Sequence, residues 1–295
     1  MNKYSAMIFA GACSYGVLST IVKLAYLDGH SIAWLSLLQH AIGMIVLWLW
    51  VLLTLSRQQQ PALRRRWLPV MASGATIGLS SFTYYLSVRY IPASLAILLL
   101  MQFTWMGLLL ERVIFQARPS RGQLLAVGCI LLGTLLAGNL SRTTISPHFL
   151  SGAGFACLSA LLYALYIIAN SRLGKDFPAP QKSALIMTGS TLGILLVNMR
   201  PLTAQVSLNP DTVKWSVLLA LFGTIMPPLL FSKAMPKVGT GLSSIIVTAE
   251  LPVAILSAYW VLDESVDGLQ WAGVGIMLGA IVWMNRPSVA AGKDG

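Results

Sequence analysis

The sequence predicts an all-α polytopic membrane protein with ten transmembrane helices, arranged as two inverted five-helix repeats over residues 1–146 and 147–295. Composition is the first observation: 56% of the 295 residues are hydrophobic, 10% are charged and the mean hydropathy is +0.75. Soluble domains carry nearer a quarter charged residues. Length is the second, because the apolar runs recur at the roughly 20 residues that a helix needs to cross the hydrocarbon. The third is a weak self-similarity on sliding the chain by 147 residues, which pairs Gln123 with Gln270, Gly128 with Gly275 and Leu131 with Leu278; within one residue of that offset Tyr15 meets Tyr163.

In chain order the predicted spans are Tyr4–Leu27, Ile32–Leu55, Leu68–Val88, Ser94–Leu110, Gln123–Leu140, Leu150–Asn170, Ser183–Met199, Trp215–Ala234, Thr240–Val261 and Leu269–Met284. The first is too long for a signal-peptide core and reads as a retained helix. The second carries a polar stripe of Ser36, Gln39, His40 and Gly43, and the third a stripe of Ser80, Ser81, Tyr84 and Tyr85. Gln102 and Trp105 fall at mid-membrane in the fourth. Tyr163, Tyr166 and Asn170 share a face of the sixth, and the eighth holds the double proline Pro227 and Pro228, which should bend it. The ninth is the run Gly241 to Glu264, with Glu250 and Pro252 at its centre. Small-residue pairs Gly74/Gly78, Gly189/Gly193 and Gly275/Gly279 mark close helix approaches, the last pair also suiting a dimer face.

An odd number of spans per copy sends the second copy into the membrane in the opposite direction, which makes the repeat inverted and places a binding site near the midplane. Orientation follows from the short loops: about 15 of the 20 Lys and Arg fall on the side that holds both termini, which is therefore cytoplasmic. Eight of the 9 tryptophans, all but Trp105, lie near span ends, where an amphipathic ring prefers to sit. The net charge of +11 is thus topological and lipid-directed, with no nucleic-acid partner implied. Cys13, Cys129 and Cys157 stand apart, so neither a metal site nor a disulfide framework is expected. No ATP-binding loop, HExxH or GxSxG occurs, which leaves no catalytic residue and no cofactor to assign.

These patterns resemble the EamA-type transporters of the drug/metabolite transporter superfamily, over nearly the whole chain from Tyr4 to Met284. The clearest part runs from Lys233 to Trp283, KAMPKVGTGLSSIIVTAELPVAILSAYWVLDESVDGLQWAGVGIMLGAIVW, and a weaker first-half version reads YLSVRYIPASLAILLLMQFTW followed by GQLLAVGCILLGTLLAG. Two departures stand out. Leu251 separates Glu250 from Pro252, which that family usually keeps adjacent, and an arginine common in its second helix is absent around Gln39 and His40. The resemblance implies a ten-helix carrier in a superfamily that moves amino acids, sugars, nucleotide precursors, quaternary amines and drugs.

The expected function is a secondary active transporter or exchanger of a small organic metabolite, in the inner membrane of the cell, as a monomer or homodimer. A membrane-embedded enzyme would want paired carboxylates or a metal, and a channel a ring of repeated charges or carbonyls. Glu250 shares its face with Ser243, Val247, Ala254 and Ser257, a small and polar surface suited to a cavity. It is the expected coupling residue, exchanging a proton or holding a cationic substrate. Wall residues are Trp105, Gln102, His40, Gln39, Tyr84, Tyr163, Tyr166, Tyr15 and Ser243; Lys23, late on the first helix, reaches the headgroups or pairs with Glu250. Pro227, Pro228 and Pro252 are the expected hinges. The cavity should be charged on the Glu250 wall and aromatic on the wall of Gln102, Phe103 and Trp105.

Overall fold

The computed structural model describes residues 2–54, 63–91, 93–137, 149–204, 209–263 and 266–284. Leu55, Leu140 and Glu264, which bound predicted stretches, lie outside them, as do Arg57, Arg142, Arg286 and Lys293 among the basic residues counted for orientation. Every regular element among the described residues is helical. The first half contains α1 (Lys3–Leu27), α2 (Ile32–Thr54), α3 (Leu63–Tyr90), α4 (Ala93–Leu100), α5 (Phe103–Phe115) and α6 (Arg121–Ala137). The second contains α7 (Phe149–Arg172), α8 (Ala179–Ala204), α9 (Pro210–Leu219), a π-helical segment Ala220–Ile225, α10 (Met226–Val238), α11 (Thr240–Val247), α12 (Glu250–Val261) and α13 (Gly268–Met284). Since α4 with α5, α9 with α10, and α11 with α12 each make one interrupted run, ten helical runs result among the described residues. Five of them are long and apolar enough to cross a membrane.

The burial pattern is that of a protein in lipid. Leu53 and Leu150 are 84% exposed, whereas Ser36, Thr104, Ser159 and Asn170 are fully buried. Apolar side chains have nothing to gain by leaving lipid, while hydroxyls and amides must find partners inside. Most do so on their own helix: Thr134, Thr188, Thr191 and Ser171 each donate to the carbonyl four residues earlier.

Small residues set the closest approaches. α3 packs along α7 and α8, α1 along α10 and α12, and α6 along α13. At the α3–α8 contact a Cβ on Gly74 would overlap the Ile186 carbonyl, one on Gly78 would stand 2.5 Å from Ser190 Oγ, and one on Gly189 would overlap the Met71 carbonyl. Two of the predicted glycine pairs therefore meet each other. The third does not join them, since Gly275 and Gly279 have open space around them and α13 meets α6 through Gly273 and Gly133 instead.

Several local devices recur 147 residues apart. The α4–α5 interruption at Met101–Gln102 and the α11–α12 interruption at Thr248–Ala249 are one such pair. A reciprocal capping box is another: Ser120 N donates to Gln123 Oε1 and Gln123 N to Ser120 Oγ before α6, while Asp267 and Gln270 do the same before α13. Gln270 also donates to the Ala137 carbonyl at the end of α6, at 3.2 Å. At the basic end Arg172 of α7 binds Glu111 of α5 at 2.6 Å and stacks over Phe115.

Gly189→Ala should force α3 and α8 apart, as overpacking does, and destabilise the protein by about 1–3 kcal/mol. Gly279→Ala should be neutral within about 0.5 kcal/mol or mildly stabilising, because its Cβ enters open space and alanine is the better helix former. Thermal unfolding followed by gel filtration in detergent checks the contrast: equal losses for both variants would remove the glycine contact from the account.

Candidate functional site

The α4–α5 and α11–α12 interruptions turn polar backbone and side chains toward neighbouring helices. In the second half the chain turns at Thr248 and Ala249, where Thr248 Oγ1 donates to the Ile245 carbonyl at 2.6 Å and Leu251 N to the Thr248 carbonyl at 3.2 Å. Glu250 is then the first residue of α12, so its carboxyl group stands at a helix N-terminus, where the peptide dipoles favour negative charge. Pro252 follows in the first turn, a position at which a missing N–H leaves no partner stranded. In the first half Thr104 Oγ1 donates to the Met101 carbonyl at the matching place, with no proline involved.

An aromatic cluster surrounds the half-buried Glu250. Tyr163 on α7 donates its hydroxyl to Glu250 Oε2 at 3.4 Å. Its ring contacts Phe103 at 4.9 Å, Tyr15 edge-on at 6.3 Å and Tyr166 in a stack at 6.3 Å. Tyr15 also meets Phe231 of α10 at 5.7 Å. The phenols of Tyr15, Tyr84, Tyr85 and Tyr163 all lie within electrostatic range of the Glu250 carboxylate. Gly16 lets α1 come this close, since a Cβ there would stand 2.6 Å from the Glu250 carbonyl.

A second polar group forms around the π-helical segment. Met226 N bonds to the Leu221 carbonyl, five residues back, and the next two residues are Pro227 and Pro228, which have no N–H to continue that register. The Phe222 carbonyl, which Pro227 would otherwise serve, accepts from Ser14 Oγ of α1 at 2.7 Å. Thr224 Oγ1 donates to the Gln39 carbonyl at 3.0 Å, and Gln39 Oε1 accepts from Tyr85 at 3.4 Å. The two prolines thus lie at the start of α10, at the foot of the π-helical segment.

Of the residues singled out from sequence, Glu250, Tyr163, Tyr166, Tyr15 and Tyr84 come together, with Gln39 joined through Tyr85. His40 is buried and turned to its own helix, its Nδ1–H donating to the Ser36 carbonyl at 2.8 Å. Trp105 donates to Gln102 at 2.8 Å, but its ring is 38% exposed and makes no ring contact with the tyrosines among the described residues. Ser243 is fully buried with its Oγ unpartnered. The side chain of α5 that faces Tyr163 is therefore Phe103 and not Trp105. Sequence reading missed Phe231, Gly16 and Ser14; the signal for Ser14 was available, because two adjacent prolines in a membrane helix oblige some neighbour to serve the freed carbonyls. No group of metal-binding side chains occurs among the described residues.

The chain matches the model of the EamA-like transporter family over residues 2–139 and again over 150–286. It is 25% identical over 234 residues to the "Uncharacterized transporter sll1319" of Synechocystis sp. (strain ATCC 27184 / PCC 6803 / Kazusa), covering 77% of this chain and 70% of that one. It is 24% identical over 215 residues to the "Threonine/homoserine exporter RhtA" of Escherichia coli (strain K12), covering 72% and 69%. A solved structure described only as "Crystal structure of protein" has the same fold, with a TM-score of 0.76 at 16% identity over 95% of this chain and 97% of that one.

Ser14→Ala would leave the Phe222 carbonyl without its donor and should lower stability by about 1–3 kcal/mol. Ser243→Ala removes a hydroxyl that has no partner, and should be neutral or stabilising. Thermal denaturation of the two variants without added solute compares them, and a larger loss for the second would contradict the hydrogen-bond assignment.

Proposed function

The chain belongs to the EamA-like transporter family, and from that premise we propose that it is a secondary active transporter or exchanger of a small organic metabolite, working by alternating access between two inverted five-helix repeats, residues 1–146 and 147–295. Its cargo class is an amino acid, an amine or a similar drug-like solute. It sits in the inner membrane with both termini cytoplasmic. The observation that carries the reading is Glu250: one carboxylate at a helix interruption, in an aromatic setting to which both halves contribute. A carboxylate ringed by tyrosine and phenylalanine faces suits an ammonium group, which gains both charge pairing and cation–π attraction.

The recurrence of helix interruptions and capping boxes at one offset, and the family model's match to each half in turn, favour the repeat architecture. That relatives are transporters, one a threonine/homoserine exporter, favours carriage over chemistry and an amine-bearing cargo. In this reading Glu250 binds the ammonium group or a proton, Tyr163 holds the carboxylate in place, and Tyr15, Tyr84, Tyr166 and Gln39 line the path. Pro227, Pro228 and Pro252 mark the hinges.

A thermal-shift screen of amines and amino acids identifies binders by the stabilisation that a ligand confers on the folded state. For the best of them, uptake into proteoliposomes under an imposed pH gradient should fall at least tenfold in Glu250→Gln while the protein remains folded. Flux and pH dependence that both survive the substitution would remove Glu250 from the mechanism.

A further inference from the structure

At the end of the molecule away from the basic loops, Trp215 of α9 donates its indole N–H to Asp28 Oδ2, after α1, at 2.9 Å. This bond joins the first half to the second and closes α9 over the α1–α2 turn, where Thr212 also meets His30 at 3.0 Å. The sequence holds the same two residue types at the other end. Asp176, in the α7–α8 turn, lies 148 residues after Asp28, and Trp67, near the start of α3, lies 148 residues before Trp215. Tyr15 and Tyr163 at the centre stand at this same separation.

The second pair is placed as the first is, with one member from each half, but it is not joined. Trp67 is 37% exposed and Asp176 is exposed, with no hydrogen bond between them among the described residues. Their segments are nevertheless neighbours. A Cβ on Gly174, two residues before Asp176, would stand 2.9 Å from Val70 Cγ2, less than one turn along α3 from Trp67. An inverted repeat changes its facing when the two halves exchange their local arrangements. Applied to these four residues, the exchange parts Asp28 from Trp215 and joins Asp176 to Trp67.

We propose that Asp28–Trp215 and Asp176–Trp67 are two positions of one alternating latch, an indole N–H held by a carboxylate, closed at the acidic partner's own end in each facing. The proposal rests on the alternating-access reading. Charge-assisted bonds of this kind bias a two-state equilibrium without locking it. Because the Asp–Trp bond is the same at both ends, its energy largely cancels between the two facings.

Double electron–electron resonance in nanodiscs tests this without a transported solute. In a background lacking Cys13, Cys129 and Cys157, one label pair at Leu27 and Val213 reports the Asp28–Trp215 end, and another at Leu68 and Lys175 reports the basic end. The unaltered latch should give two distances at each end, with opposite weights. Trp215→Phe keeps a ring and removes the N–H; it should move the ratio about two- to tenfold toward the facing closed at the basic end. Trp67→Phe should move it by a similar factor the other way, and Asp28→Ala and Asp176→Ala should each follow the tryptophan partner. Opposite-weighted distances that ignore Trp67→Phe or Asp176→Ala would overturn the latch and leave the carrier reading standing. A single distance at each end in every variant would overturn both.

Discussion

A backbone carbonyl in hydrocarbon has no water to turn to, and leaving one without a donor is costly enough to shape a whole fold. This chain interrupts its helices at Met101–Gln102, at Ala220–Ile225 and at Thr248–Ala249, and each interruption is answered by a nearby hydroxyl. Thr104 and Thr248 answer within their own runs, whereas Phe222 is answered by Ser14 from another helix. The third case matters most for architecture, because satisfying one carbonyl pins α1 to the π-helical segment. That pinning puts Tyr15 and Gly16 beside Glu250.

The helix interruptions and capping boxes recur at one offset, but the residues that follow the interruptions differ in chemistry. Phe103 and Glu250 follow equivalent helix interruptions, 147 residues apart, and Tyr163 touches both, one through its ring and the other through its hydroxyl. A single side chain thus reads the difference between the halves. Because Glu250 belongs to the second half and Phe103 stands at the matching position of the first, the setting around Tyr163 is charged on one side and apolar on the other.

Much of this was legible in the sequence. Hydropathy located the ten runs, but it read the fourth, Ser94–Leu110, as continuous, whereas the chain breaks it at Met101–Gln102. Glu250 stood out because acids are rare at mid-span. What composition could not supply was direction around each helix. Trp105 and Phe103 are two residues apart on one helix, and an apolar face gives no signal as to which of them turns inward. His40 was expected to line the wall, but a carbonyl one turn back takes its Nδ1–H, an interaction that a sequence written in one dimension hides. The glycine pairs show the same limit: Gly189/Gly193 and Gly275/Gly279 have identical spacing, yet only the first has a backbone pressed against it.

The Ser14–Phe222 bond also sets a lever. Trp215 lies seven residues before Phe222, about 10 Å along the helical run at about 1.5 Å per residue, so a tilt of about 20° about Phe222 carries Trp215 through about 3.5 Å. That displacement exceeds the length of its bond to Asp28, while the fulcrum itself hardly moves. Under the alternating-access proposal, a carrier built this way keeps the Ser14–Phe222 bond through every cycle and moves at its two ends, where a broken hydrogen bond is replaced at once by solvent.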